Sequence, residues 1–479
     1  MKRVGNLYES MISLKMMEKV YAGVMKGKRH KYEPGSKAFM IRMNKDYYMA
    51  EVGRMLQERS FKPSRPKVST RWDPGCQKFR EIKAPKLFPD QFVHWAIMLQ
   101  LQPIFMKGMD DWCCASIKDR GILYAKNFIE KKLDNSLNDR RAIPVEKQYK
   151  YCLKMDIRKF FDNVDREILM NKLRRKIKDR EMLDLCQKII DSVPGKGIPL
   201  GYYTSQWFVN FYLQDFDHNL RENLMPSYNV DTYVRYMDDM IILGSNKRKL
   251  QRLMNDISDY LNKNLNLELK ETSSIFAIED RDIDFIGYRF SYGKTVLRKK
   301  ILKRAKIANS RLYSGKFTLK NLRPMNAYKG WLDQTNTREY SEEYLIGNRD
   351  YESSRLKDAL NKQRDEYNRS STYKHVEEIS SDIIKLKEET QGNDHVLIRY
   401  YKDTDSVKVV DRSTFQFPDK EEYLKELEAK NNKIKKKKNS KNKSYYPSAE
   451  IYFSKQEPRK CARDYNLEIQ IDKQIRKIS

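Results

Sequence analysis

Apolar positions change spacing several times along this chain, and each change predicts an element. Over residues 1–60, Met11, Leu14, Met17, Val20 and Tyr21 recur at helical intervals and predict a mostly helical start. Residues 61–85 interrupt that rhythm with Pro63, Pro66, Pro74, Gly75 and Pro85, which suit loops and the strands of a hairpin. From 88 to 106, Phe92, Val93, Trp95, Ala96, Met98 and Leu99 predict a buried helix. A strand then runs into Asp156, and a helix over 166–193 carries Leu169, Leu173, Ile177, Leu183 and Ile189. Gly195 and Gly197 break the chain before Gly201, and a second long helix, about 203–222, begins at the capping pair Thr204-Ser205. Strands 231–236 and 240–243 flank a turn, followed by helix 247–264 and strands 267–269 and 273–278. Strands and helices that alternate through antiparallel hairpins predict an α+β fold rather than a doubly wound sheet.

The remainder is more polar. Residues 300–335 are basic and helical in pattern, and 340–395 are charged and helical or partly unstructured. Residues 396–416 alternate as two strands, so a small extra β element is expected. Residues 418–444 read as a charged helix that runs into Lys433, Lys435 to Lys438, Lys441 and Lys443; segments 446–453 and 466–471 could add strands.

Composition narrows the partner. The chain has 479 residues, enough for two to four domains, and a formal charge of +30. A basic chain of this kind suits a polyanion, because neutralising phosphates releases their counterions. Its 31 tyrosines could serve as stacking platforms for bases. Basic stretches at 26–31 and in the lysine run are candidate RNA contacts, though either could be a solvated segment. Six cysteines form no CxxC pair, which argues against zinc, and the lack of a signal-peptide pattern leads us to expect a reducing cytoplasm. No apolar run approaches the ~18 residues of a spanning helix, so no membrane partner is expected. The five histidines lack metal-ligand spacing, His94 reads as a packed core residue, and nothing supports Ser-His-Asp chemistry.

The chemistry concentrates around residues 235–243, Arg-Tyr-Met-Asp-Asp-Met-Ile-Ile-Leu. A hairpin would put Asp238 and Asp239 at its tip, where they are either a solvated turn or a site for a divalent cation. Mg²⁺ takes oxygen ligands, commonly one or two carboxylates plus substrate phosphates. Upstream, Asp156 ends a strand and either caps a helix or joins that pair. Three carboxylates holding two metals about 3.5–4 Å apart suit in-line phosphoryl transfer.

Five segments in order then resemble the reverse transcriptases, over roughly residues 1–335. Tyr236-Met237-Asp238-Asp239 resembles their catalytic box, and Met155-Asp156-Ile157-Arg158-Lys159-Phe160-Phe161 their first palm motif. Lys78-Phe79-Arg80-Glu81-Ile82-Lys83-Ala84-Pro85 is similar to the fingers segment that holds the incoming triphosphate. The run from Gly197 through Pro199, Leu200 and Gly201 to Gln206 resembles the segment under the templating pair, and Asp284-Phe285-Ile286-Gly287-Tyr288-Arg289-Phe290 the primer-gripping hairpin. Thr204-Ser205-Gln206, Val4-Gly5-Asn6-Leu7-Tyr8-Glu9 and Thr295-Val296-Leu297-Arg298-Lys299 resemble enzymes of diversity-generating retroelements and the related antiviral defence enzymes of bacteria. Diversity-generating enzymes usually stop soon after the thumb, here near Gly330-Trp331-Leu332, whereas this chain continues; the long tail favours the defence type.

The resemblance implies a right-hand polymerase fold with an additional C-terminal extension. Residues 1–150 would form N-terminal helices, fingers and the start of the palm, 151–292 the palm with the catalytic hairpin and primer grip, 293–340 the thumb, and 341–479 a basic extension with a small β element. Lys299, Lys300, Lys303, Arg304 and Lys306 would line a thumb face toward the duplex. The implied reaction is RNA-directed DNA synthesis on a structured non-coding RNA, with a DNA primer and cDNA product, deoxynucleotides and two Mg²⁺ ions, for which Mn²⁺ could substitute. Asp156, Asp238 and Asp239 would be catalytic and, with the Ile157 carbonyl, would hold the metals. Arg80, with Lys78 or Lys83, would clamp the triphosphate. Phe161 would be the gate against a 2′-hydroxyl, leaving Phe160 to the core. Leu200, where many members carry Gln, and Gly201 would lie at the nascent pair, and weak base discrimination is expected from Leu200. Lys270 would sit near the leaving pyrophosphate. Ser205, Gln206, Tyr236, Met237, Phe285, Gly287 and Tyr288 would contact primer or template. Alternatives are an error-prone retroelement enzyme, an inactive RNA-binding scaffold, and an RNA polymerase, the last disfavoured by Phe161. A homo-oligomer or an accessory protein is a possible further partner, and no separate RNase H domain is expected.

Overall fold

The computed structural model describes residues 3–28, 36–73, 78–138, 149–313, 330–336, 381–386, 395–401 and 406–413, with single residues between 324 and 417. The lysine run at 433–443, the helix expected over 418–444 and the strands expected at 446–453 and 466–471 lie outside the described residues. Four helices open the chain: α1 (Leu7–Ile12), α2 (Leu14–Met25), α3 (Lys37–Met43) and α4 (Lys45–Gln57). Next comes the antiparallel hairpin of β1 (Lys67–Asp73) and β2 (Lys78–Ala84), where the prolines and glycine predicted strands. Helix α5 (Phe92–Met106) is buried as its apolar run requires, and α6 (Ile122–Asn138) is an element the sequence pattern did not predict.

A four-stranded antiparallel sheet in the order β4-β5-β3-β6 forms the middle of the molecule: β3 (Tyr151–Asp156), β4 (Thr232–Tyr236), β5 (Asp239–Gly244) and β6 (Ser274–Ala277). Its central strands are apolar at successive positions because both faces are covered. Side chains alternate across a strand, and here the alternation sorts them into two cores. Leu153, Met155, Tyr233, Met240 and Ile242 pack with the helical layer, which contains Phe208, Phe211, Leu253 and Ile257. Cys152, Val234, Ile241 and Leu243 pack on the other side with α6 and with Phe285, Tyr288 and Phe290. Each fully buried side chain of this size contributes about 1.5–3 kcal/mol relative to exposure. A charged replacement in these runs would therefore oppose burial on one face or the other.

The helical layer comprises α7 (Phe160–Asn163), α8 (Arg166–Lys176), α9 (Arg180–Ile190), α10 (Tyr203–Tyr212), α11 (Gln214–Asn219), α12 (Met225–Ser227) and α13 (Lys247–Leu265). The single helix expected over 166–193 is two. Ile177 is extended and bridges Val4, and the Asp179 carboxylate starts α9 by accepting from Met182 N at 3.2 Å. The same carboxylate accepts from Leu7 N at 2.7 Å and Tyr8 N at 2.9 Å, so the break docks the N-terminal helices onto the helical layer. Thr204-Ser205 does not cap the next helix. Both lie inside α10, buried, with the Thr204 hydroxyl 2.9 Å from His94 Nδ1, while Tyr202 holds the cap position. The strand expected at 267–269 reduces to a bridge between Leu269 and Ile157.

A second sheet, β7 (Ile283–Phe285), β8 (Tyr288–Ser291) and β9 (Lys294–Leu297), leads into α14 (Lys299–Tyr313). Lys299, Lys300, Lys303, Arg304 and Lys306 are exposed on α14 while Ala305 and Ala308 are buried. Far along the chain, β10 (His395–Tyr401) and β11 (Ser406–Ser413) pair as the alternation predicted. This hairpin packs on α3 and α4. Buried Asn44 accepts from Ile398 N at 2.8 Å and donates to Ile398 O at 3.0 Å, so one side chain replaces a strand partner at the irregular point of β10. No helix of the described residues is long and apolar enough to cross a membrane.

Candidate active site

The sheet register places the acidic residues. In the β3–β5 pair, Asp156 stands opposite Asp239, and in the β4–β5 pair Tyr236 stands opposite Asp239. A two-residue turn, Met237-Asp238, therefore closes the hairpin beside the end of β3. Its first residue is left-handed, with φ 56 at Met237, and positive φ there belongs to the primed turns that match twisted strands. Ile157 N donates to the Asp238 carbonyl at 3.2 Å, which ties the turn to β3. Asp156 thus shares one end of the sheet with the sequence-distant pair Asp238 and Asp239.

Their electrostatics follow from burial. Desolvation, then the neighbouring Asp156, raise the pKa of Asp238 above the usual carboxylate value, while Lys270 and Arg80 pull it down. Desolvation and Asp156 push Asp239 up to about 6 against the pull of Lys154 and Lys270. The Lys270 ammonium bonds Asp156 Oδ2, and Asp156 Oδ1 is buried without a hydrogen-bond partner. Among the described residues, no three His, Cys, Asp or Glu side chains come together closely enough to hold a cation by themselves. Lys270 instead supplies the positive charge beside Asp156. A partnerless buried carboxylate oxygen and a mutually repelling pair still fit Mg²⁺, which needs only one or two carboxylates when phosphates and water complete its shell. The Ile157 side chain is buried and its backbone continues β3 past Asp156.

The other expected residues fall into two groups. On the site's side, Arg80 lies in β2 opposite Arg71, near enough for its charge to reach Asp238. Lys78 also lies in β2, but its side chain is outside the described residues. Lys83 N donates to Leu200 O at 2.8 Å, which joins the β1–β2 hairpin to the segment before α10. Gly201, φ +115, lies so close to β2 that an added Cβ would stand 2.7 Å from Lys83 O. Phe160 is buried and Phe161 half-buried, a separation that sequence alone could only guess. Leu200, Gln206, Tyr236, Met237 and Lys270 are also half-buried.

The second group is packed away. Ser205 is buried within α10, so its hydroxyl is not free to meet a template. Phe285 and Tyr288 are each 1% exposed, and Tyr288 stacks on Trp331 with ring centroids 5.1 Å apart. The close approach at Gly287 is made by Trp331, whose ring would stand 2.6 Å from an added Cβ. The Phe285 and Tyr288 side chains thus join the β7–β9 sheet to the segment after α14.

Two residues escaped the sequence reading. Arg235 and Asp217 form an ion pair at 2.5 Å with both side chains 0% exposed, directly behind the turn. The available signal was an arginine inside the otherwise apolar run of β4.

Residues 76–290 match the family described as "Reverse transcriptase (RNA-dependent DNA polymerase)". These residues, a little under half of the chain, are similar to a reverse transcriptase domain. Retron Ec73 reverse transcriptase of Escherichia coli is 29% identical over 132 residues, which are 26% of this chain and 41% of that protein. A COX1/OXI3 intron 2 protein of Saccharomyces cerevisiae is 22% identical over 203 residues, 29% of this chain and 24% of that protein. The chain thus spans less than half the length of either relative. Among solved structures, telomerase from Candida albicans in complex with a TWJ fragment of telomeric RNA is similar at 13% identity and TM-score 0.39, over 72% of this chain and 69% of that one. The β1–β2 hairpin, the four-stranded sheet and α14 together make a right-hand polymerase architecture.

Proposed function

We propose that the chain is an RNA-directed DNA polymerase that copies a structured non-coding RNA into DNA. The observation that carries this reading is the register of Asp156 against Asp239, with Asp238 in the intervening turn, inside the segment that matches reverse transcriptases. Asp156, Asp238, Asp239 and the Ile157 carbonyl would hold two Mg²⁺ ions, or Mn²⁺ in their place. Bound there, they would supply charge neutralisation to the reacting phosphates.

The chain's own residues would position the reactants. Arg80, assisted by Lys78 or Lys83, would grip triphosphate oxygens through its planar fork. Phe161, half-buried and five residues after Asp156 in the chain, would lie under the sugar and leave no room for a 2′-hydroxyl. Lys270 would release Asp156 Oδ2 and deliver a proton from Nζ to the departing pyrophosphate. Leu200 and Gly201 would support the nascent pair, and Gln206, Tyr236 and Met237 would flank primer and template. Positioning and charge stabilisation, rather than covalent chemistry, account for the rate. The exposed cations of α14 suit a duplex backbone, and the formal charge of +30 suits a bound RNA. The long extension leads us to favour a defence role. Leu200 favours the second reading, an error-prone enzyme of a diversifying retroelement.

Sequencing the nucleic acids that copurify with the intact chain tests the proposal. Templated DNA should accompany the wild type and vanish in Asp238→Ala, while RNA stays bound to both. DNA that persists in the mutant, or a wild type that neither carries DNA nor extends a primer on RNA, overturns it.

A further inference from the structure

An arginine in the middle of a strand buried on both faces needs a reason. Arg235 is wholly buried in β4, and every one of its nitrogens has a partner. Nε donates to Asp217 Oδ1 at 2.9 Å, and Nη2 donates to Asp217 Oδ2 at 2.5 Å and to Cys113 Sγ at 3.1 Å. Nη1 donates to Asn210 Oδ1 at 3.0 Å and to the main-chain carbonyl of Met237 at 3.2 Å. The acceptors are held in turn. Asp217 on α11 also takes the Tyr233 hydroxyl at 2.8 Å, and Asn210 on α10 donates to Ala115 O at 2.8 Å. The backbone of Arg235 is gripped as well: its N donates to Trp112 O at 3.0 Å and its carbonyl accepts from Cys114 N at 2.9 Å.

Stability is a poor explanation for such a residue. A buried ion pair contributes little over well-packed apolar side chains of similar volume. What an apolar residue could not supply is the bond to Met237. Met237 is left-handed, a conformation that a side chain with a Cβ resists. Its carbonyl belongs to the peptide that joins it to Asp238, so fixing that oxygen fixes the plane from which the Asp238 backbone departs. The acceptors come from two helices and the segment before α6, so the guanidinium is itself immobile, and a planar five-donor group can serve all of them at once.

We propose that Arg235, locked by Asp217 and Asn210, is a positioning residue for the acidic hairpin. Through the Met237 carbonyl it holds a strained turn in the orientation that sets Asp238 and Asp239 against Asp156. The inference rests on reading those carboxylates as the polymerisation site, and it adds the device that aims them.

The test compares wild type, Arg235→Lys, and the double variant Arg235→Met/Asp217→Leu, which removes both charges and leaves no unpaired ion. Primer extension on RNA gives kcat and the deoxynucleotide KM, and amide hydrogen exchange reads residues 236–239 against the rest of the sheet. In the folded double variant the turn amides should exchange faster while the strands of the sheet stay protected. Its kcat should fall by roughly tenfold to a hundredfold, as expected for a misplaced catalytic group, with KM little changed. Arg235→Lys keeps a charge for Asp217 but lacks the fork, and should show the same split in smaller measure; it carries the test if the double variant does not fold. Wild-type kcat and turn exchange in either folded variant, or loss of activity in proportion to global unfolding, overturns the inference. If the wild type itself extends no primer, the polymerase reading fails, and the exchange data alone decide whether Arg235 orders the turn.

Discussion

Replacing Gly201 by alanine should disturb the proposed nucleotide clamp from a position that carries no functional group. The new Cβ would stand 2.7 Å from the Lys83 carbonyl oxygen and 2.8 Å from Ile82 Cγ2, and φ there is +115. A left-handed non-glycine residue costs about 1–2 kcal/mol. To reach ordinary contact, β2 must retreat by roughly half an ångström or more in a close-packed region. That movement strains the Lys83 N to Leu200 O bond of 2.8 Å, whose loss adds about 0.5–1.5 kcal/mol. Together these predict a loss of about 1.5–3.5 kcal/mol. Gly195→Ala is the matched control: φ is +94, but nothing lies within 4 Å of the added Cβ. It should cost only the backbone preference, about 1–2 kcal/mol. Because β2 carries Arg80, Gly201→Ala should also raise the deoxynucleotide KM several-fold, whereas Gly195→Ala should leave it near wild type. Denaturant unfolding and primer-extension kinetics measure both quantities. Equal unfolding free energies for the two variants, with KM unchanged in both, would refute the argument that the close approach of β2 makes glycine necessary.

Other expectations follow from single side chains. Phe161→Ala should let ribonucleotides compete, seen as a rise in ribonucleotide incorporation relative to wild type, and no change would remove Phe161 as the gate. Leu200→Gln should lower misincorporation in sequenced products, and equally low error rates in both proteins would count against a role for Leu200 in base discrimination. Asn44→Ala strips both main-chain groups of buried Ile398 of their partner, at about 1–3 kcal/mol for each group; limited proteolysis should then cut the β10–β11 region faster, and an unchanged cleavage rate would argue against this anchor. Burial pushes His94 down to about 3 from its ordinary 6.5. The folded state therefore resists a proton that the unfolded chain accepts below pH 6.5, so stability is full above that pH and falls as pH drops from 6.5 toward 3. The slope is about 1.4 kcal/mol per pH unit, or about 2 kcal/mol between pH 6.5 and 5. His94→Gln should flatten that part of the unfolding profile, and parallel profiles would show that His94 is not its source.

The candidate site was legible to different depths. Asp156, Asp238 and Asp239 could be read because each sits at an abrupt change from apolar strand to acid, which local sequence displays. The burial of Ser205, Phe285 and Tyr288 could not be read, since a hydroxyl or an aromatic ring suits a nucleic-acid contact and a helix–sheet junction equally well. Lys270 could be placed near the site, but its bond to Asp156 depends on how residues 267–270 pair with the end of β3. The break at Ile177 was hidden for a similar reason: its partner is Val4, far away in the chain.

By itself the sequence determined the α+β class, the strands that flank the acidic turn, the β1–β2 and β10–β11 hairpins and the basic character of the surface. These depend on periodicity, turn chemistry and charge, all properties of neighbouring residues. Tertiary structure alone decided which aromatics are free, that Asn44 receives a strand from the far end of the chain, and that Arg235 is buried against Asp217 behind the turn. Each of these depends on pairs of residues brought together by sheet register and helix packing. A buried charge differs from an exposed one through its partners, and partners are a property of the folded chain.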